Sequence, residues 1–443
     1  MTDSKYSVST LANGLTVITE ERRHAPVVSF WMGFRAGSRN ELPGLTGVSH
    51  WIEHMLFKST EQFPGNERDR VIAREGGVTN AFTWIDCTAY YTTIPSPQAD
   101  LVYRIEADRL ANSVFDPSVF ETERAVILAE RDSYANQPDW RLSESVTAMA
   151  FQAHPYRHEV IGLATDIQRL SRDDLFNYHQ AHYVPNNAVA VAVGDFDSSQ
   201  LNSRLEELFG AFPPGATPSA PRAIEPEGAG ERRVLLDGPG STGYMEIAYR
   251  APEVRSPDFV PTLVLGSILG SPIALGFGGG VESRSSRLYR GIVETELAID
   301  IDCNMEASID PFVFDISAVL RTGRTHEEVE TAVLRILDEI SEQPVTDREL
   351  ARAKKQILAQ FVFTNERITN RAMILMLGFT VFPLEFLDAF PSAIAAVTAD
   401  DVRDAARKLL RKQNRVIGWY VPQNSEDDDD ECANDDESME QIP

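Results

Sequence analysis

Cysteine is scarce in this chain. Three residues, Cys87, Cys303 and Cys432, are odd in number and far apart, which argues against a disulfide framework and against a cysteine-built zinc site. Long apolar runs are missing too. No run of about eighteen or more uninterrupted apolar residues occurs, so no helix is expected to span a bilayer. The opening "MTDSKYSVST" lacks the basic start and apolar stretch of a secretory signal, and the arginine-rich composition of an organelle leader. Read as a complete chain, the protein is expected in the cytoplasm. Positive charge is the third shortage. Against 67 Asp and Glu stand 41 Lys and Arg, for a formal net charge of −26, a balance that repels nucleic acid and anionic membrane and favours basic peptides.

The chain does have enough apolar residues for a core, 43%, at a length of 443 that suits two or three domains. "AFPPGATPSAPRAIEPEGAGER", Ala211 to Arg232, is rich in Pro, Gly and Ala and reads as a linker. It divides an N-terminal domain, 1–211, from a C-terminal domain, 232–422, with the linker itself at 212–231. The end, 423–443, is acidic: ten Asp and Glu fall between Glu426 and Glu440, and a disordered tail is expected.

The two sides resemble each other. "LSRDDLFNYHQAHYVPNNAVAVAVG" from Leu170 and "VTADDVRDAARKLLRKQNRVIGWYV" from Val397 align without gaps, pairing Asp174 with Asp401 and Asn187 with Asn414. Each opens on a Ser or Thr cap, continues as a helix and ends in a β-branched strand. "FRAGSR" from Phe34 likewise resembles "YRAPEV" from Tyr249. Strand pairs alternating with helix pairs predict an α+β fold of two related domains, each a mainly antiparallel sheet packed with helices.

Only eight histidines are present, and two lie four apart in "GVSHWIEHMLFKST". On a helix over 47–57, His50 and His54 share one face and can bind one tetrahedral Zn²⁺. Glu53, beside His54, can reach past the metal to a water without being a ligand, which is the arrangement for metal-activated hydrolysis. A third ligand is needed. In "PSVFETERAVILAERDSY", Glu123 and Glu130 are seven apart and nearly eclipsed, whereas Glu121 and Asp132 point elsewhere. One of the eclipsed pair can bind the metal while the other steadies a ligand histidine. H-x-x-E-H is the inverted form of the H-E-x-x-H zinc-hydrolase signature.

These residues resemble the pitrilysin and insulinase family of zinc metallopeptidases, in particular the short-chain branch that includes mitochondrial processing peptidase subunits. "LANGLTV", "GVSHWIEHMLFKST", "GGVTNAFTWIDCTAYY", "ERAVILAE", "HPYRHEVIG" and "YVPNNAVAVAVGDFD" occur in family order, and "SSRLYR" extends the likeness more weakly into the second half. The resemblance implies two domains facing each other across a chamber. It also implies one Zn²⁺ per chain on His50, His54 and Glu130, Glu53 as general base and Glu123 as supporting acid. Asn80, Ala81, Phe82 and Thr83 would form an edge strand to which a peptide adds as a further strand. The implied activity is endoproteolysis of peptides or unfolded segments.

One departure stands out. Active single-chain relatives carry an Arg and a Tyr six and thirteen positions after the Arg of the "SRL" segment, to bind substrate and stabilise the oxyanion. From Arg287 those positions hold Val293 and Asp300. Arg287, Tyr289 and Arg290 lie out of register, and "TLVLGSILGS", where a second metal helix would fall, has no ligands. The expected assembly is therefore a heterodimer, this chain bearing zinc and a homologous partner bearing the Arg/Tyr pair. A homodimer and a non-catalytic scaffold subunit are the rival readings. "LGFGGGVESRSS", Leu275 to Ser286, reads as a mobile Gly-rich loop. His179 with His182, and His154 with His158, lack a third ligand and read as structural.

Overall fold

The computed structural model describes residues 6–423 except 61, 219–220, 274 and 276–282. The acidic tail beyond Gln423, Cys432 and most of the Gly-rich stretch lie outside the described residues. Strands β1 (Ser7–Thr10), β2 (Thr16–Glu21), β3 (Val27–Phe34), β4 (Val78–Thr83), β5 (Thr88–Pro95) and β6 (Ala188–Gly194) form one sheet in the order β1-β2-β6-β3-β5-β4. Strands β7 (Arg232–Pro239), β8 (Tyr244–Arg250), β9 (Ala298–Met305), β10 (Val313–Leu320) and β11 (Arg415–Gln423) form the other, β7-β11-β8-β10-β9. In each sheet one neighbouring pair is parallel, β2 with β6 and β7 with β11, and the rest are antiparallel. Apart from β1, which has no counterpart, the same connectivity is built twice. The chain is a mixed α+β molecule of two related domains.

The aligned segments coincide locally. Ser171 and Thr398 each cap a helix, Arg172–His182 and Ala399–Leu409, through reciprocal bonds with Asp174 and Asp401. Each helix leads into the strand that closes its sheet, β6 or β11. Such capping boxes satisfy helix N–H groups that would otherwise have no partner.

Each domain also lends the other a helix. On β3 and β6 alternate residues point to opposite faces. Phe30, Met32, Ala190 and Ala192 join the first domain's own core, while Trp31, Val189 and Val191 join a core with Met373 and Met376. Those methionines lie on Ile368–Thr380, from the second domain. Conversely Pro138–Ala150, from the first, puts Leu142 and Val146 against Ala248 and Val416 of the second sheet. This explains why "AVAVAVG" is apolar at every position: β6 is buried on both faces. It also explains the apolar composition of Ile368–Thr380. Among the described residues no single helix is long and apolar enough to cross a membrane.

Residues 212–231 contain no helix or strand among those described, but the stretch is anchored. Glu225 accepts the backbone N–H groups of Gln152, Ala153 and His154 at 2.8, 2.9 and 2.9 Å. Cys87 and Cys303 are buried and unpaired.

Candidate active site

The helix Val48–Leu56 presents His50 and His54 on one side, and its other side is fixed from two directions. Its N-terminus is held by Glu41, whose two carboxyl oxygens accept the N–H groups of Gly47 at 2.8 Å and Ser49 at 2.9 Å. Its buried face carries Trp51, stacked on Phe120 with centroids 4.5 Å apart and the Arg124 guanidinium 4.9 Å from each ring. Phe120 and Arg124 belong to the helix Pro117–Ala135. That contact brings Glu123 and Glu130 to the histidines.

The ligand atoms of His50, His54 and Glu130 all lie within 4.8 Å of one another, and among the described residues theirs is the group that can hold a metal ion. Nε2 of His50 is 3.9 Å, and Nε2 of His54 3.6 Å, from the same Glu130 oxygen. Donors about 2.0–2.1 Å from a tetrahedral ion stand about 3.3 Å apart, so only a small contraction is needed. Burial, then the neighbouring His54, pushes His50 down to about 3. Its imidazole is neutral at ordinary pH, as a ligand must be. Nδ1 of His50 is buried without a hydrogen-bond partner. His54 differs: its Nδ1 is 3.2 Å from Oε2 of the buried Glu123, and Oε1 of Glu123 is 2.7 Å from Lys58 Nζ. The donor set fits a divalent ion.

Glu53 points off the same helix to a different partner. Its Oε2 accepts the Thr83 hydroxyl at 2.7 Å. Burial raises its pKa, and the Thr83 bond opposes that rise. Thr83 ends β4, the edge strand beside β5. Trp84 N–H bonds to Cys87 carbonyl at the hairpin end, and the alternation of an antiparallel pair then turns the backbone groups of Ala81 and Thr83 outward. Ala81 N–H is held at 2.9 Å by the side chain of Asn80 itself, which is exposed, while Phe82 is half-buried.

A cavity of about 490 Å³ opens beside these groups, lined by His50, Glu130 and Thr83 and by residues of both domains. Glu159 from the first domain and Glu246, Glu306 and Asp315 from the second line it. Burial and then Glu144 raise Glu159 to about 7. Burial and then Asp315 raise Glu306 to about 8, and Glu246 rises for the same two reasons. Arg131, which pulls Glu159 the other way, is itself bound to Glu144 at 2.6 Å.

The remaining candidates lie apart. Val293 packs against the second domain's core and Asp300 is exposed on β9. Arg287 is bound to Glu349 at 2.8 Å. Phe259–Leu269, which contains most of "TLVLGSILGS", has nine buried residues and packs as a core helix. His179 is buried with both ring nitrogens unpartnered, His182 Nδ1 is 3.0 Å from Tyr178 carbonyl, and His154 Nε2 is 3.1 Å from Asp310. Sequence reasoning missed Glu41, Lys58 and the Thr83–Glu53 bond. Glu41 lies too far upstream of its helix for a capping box, and nothing local marks the other two.

Comparison with known proteins agrees with this geometry. Residues 16–163 match the family described as Insulinase (Peptidase family M16), and residues 169–357 match the Peptidase M16 inactive domain. The chain is 28% identical over 423 residues to the mitochondrial-processing peptidase subunit beta of Lentinula edodes, covering 93% of this chain and 89% of that one. To the zinc protease PqqE of Helicobacter pylori it is 26% identical, over 90% of this chain and 91% of that protein. A crystal structure of a protease from Helicobacter pylori superposes with a TM-score of 0.89 at 25% identity, covering 94% of this chain and 99% of the other.

Proposed function

The chain belongs to the insulinase family of peptidases, and from that premise we propose that it is a zinc-dependent endopeptidase with His50, His54 and Glu130 as ligands and Glu53 as general base. The observation that carries the reading is the convergence of those three ligand atoms within 4.8 Å, next to a carboxylate held by a different partner. What zinc supplies at such a site is Lewis acidity, which acidifies water and polarises a peptide carbonyl. The rest is done by side chains. Oε2 of Glu53 is engaged by Thr83, so Oε1 is the atom that takes the proton from the attacking water and passes it to the leaving amine. Glu123 holds His54 in one orientation through Nδ1. A peptide laid along β4 replaces the Asn80 side chain at Ala81 N–H and adds as a strand. With their pKa values raised, the carboxyls of the cavity are largely protonated near neutral pH, and a basic side chain entering among them would draw them toward the charged form.

Val293 and Asp300 supply no donor for an oxyanion. The working unit is therefore a heterodimer with a homologous chain that carries an Arg and a Tyr there. Glu53→Gln tests the chemistry: the variant should keep one zinc per chain and lose cleavage of unfolded peptides, measured on the chain alone and with its partner. Normal turnover by the zinc-loaded variant would overturn the assignment. Wild-type protein that binds no zinc would favour the scaffold reading instead.

A further inference from the structure

The strand proposed to hold the peptide and the carboxylate proposed to move the proton meet at one hydroxyl. Thr83 is buried at the end of β4, and its Oγ1 lies 2.7 Å from Glu53 Oε2. A hydroxyl has a single proton to give. Directly across the ladder, Thr88 has its Oγ1 3.3 Å from that of Thr83, but it also sits 2.8 Å from the carbonyl of Ala36, the shorter contact and the better acceptor. The Thr88 proton is thus directed to Ala36, and the Thr83 proton to Glu53. A free glutamate side chain has three torsions. With Oε2 tied to the strand, Oε1 is left in a fixed direction.

We propose that Thr83 is a positioning residue for Glu53: its hydroxyl sets the base in register with a peptide lying on β4, and is not itself a peptide contact. This rests on the reading of Glu53 as general base. Because one residue belongs to both the strand and the base's support, the distance between scissile bond and base is set by the pleat of β4 rather than by two independent loops.

Thr83→Val and Thr83→Ser separate this role from a merely structural one. Valine keeps the β-branch and the strand preference and removes only the hydroxyl. In the zinc-loaded assembly, Thr83→Val should lower kcat about tenfold to a hundredfold with KM changed by less than about twofold, and Thr83→Ser should restore kcat to within about threefold of wild type. Zinc content and thermal midpoint, measured in parallel, should match wild type in both. A Thr83→Val kcat within about twofold of wild type, or a loss confined to KM, would overturn the inference. So would a serine variant as slow as the valine one. Failure of the underlying reading looks different: Glu53→Gln would then cleave normally, whatever Thr83 does. If Glu53→Gln is inactive while Thr83→Val is normal, the inference alone falls.

Discussion

Lys58 lies two residues beyond the end of the helix that carries His50 and His54, and its Nζ is 2.7 Å from Glu123 Oε1. The other oxygen of Glu123 faces His54 Nδ1 at 3.2 Å. One buried carboxylate thus spans a cation and the His54 imidazole, and each contact fixes the rotation of the other. Removing the cation leaves Glu123 buried without its partner and free to turn from His54. Lys58→Met, which keeps the aliphatic stem, should weaken zinc binding about tenfold to a hundredfold, the usual scale for losing a partner behind a ligand. Chelator competition measures it, and Lys58→Arg should recover most of the loss. Unchanged affinity in Lys58→Met would mean that burial alone orients Glu123. The histidine pair and the eclipsed glutamates were legible in the sequence because helical periodicity fixes side-chain direction locally. The contacts of Lys58 and Glu41, and the bond from Thr83 to Glu53, were not. Their partners are distant along the chain or set by tertiary packing, and a spacing rule does not reach that far.

Between elements, the exchanged helices decide how the two sheets stay together. Gly418 lies in β11 beneath Pro138–Ala150, where a Cβ would meet Val146 Cγ2 at 2.4 Å and Leu142 Cδ1 at 2.8 Å. Gly33 is on β3, the counterpart of β8 rather than of β11, and lies beneath Ile368–Thr380, where a Cβ would stand 2.4 Å from Met376 Cγ. Each sheet therefore has a glycine under the other domain's helix where a Cβ would clash with it. Gly418→Val should lift that helix and cost about 1–3 kcal/mol, the range for overpacking a filled core, read from the urea midpoint at constant m-value. Adding Val146→Ala should recover part of the loss, because the smaller side chain vacates the contested space. If the single variant melts like wild type, the helix is not pressed against β11. The continuous apolar pattern of β6 accords with its cover on both faces. It carried no information on which helix supplies the cover, since any apolar helix of the right length satisfies the same alternation.

Across the whole molecule, the domains are joined by polar groups as well as by the exchanged helices. Asp86 of the first domain accepts the Tyr156 hydroxyl at 2.6 Å and the backbone N–H of Ile309, in the second, at 2.8 Å. Asp310 beside it receives Arg39 at 2.6 Å and faces His154 Nε2 at 3.1 Å. His154 Nδ1 accepts the Tyr156 N–H at 3.2 Å, so the ring proton sits on Nε2 and is donated to Asp310. The His154 bond first, and then Arg39, hold the Asp310 carboxyl down to about 2. An acid whose pKa is lower folded than unfolded stabilises the fold above its unfolded value, about 3.9 for Asp, and that contribution disappears as pH falls toward the folded value. Asp86 runs the opposite way, since burial raises it to about 6. Asp86 is present in both wild type and Asp310→Asn, so its own slope largely cancels in their difference. Urea midpoints of wild type and Asp310→Asn should therefore differ most near neutral pH and converge between about pH 4 and pH 2. A gap that stays constant through that window would mean that the carboxylate's charge does not join the domains. Convergence would identify Asp310 as an acid-labile tie between the domain that bears His50, His54 and Glu130 and the one that supplies the far wall of the cavity.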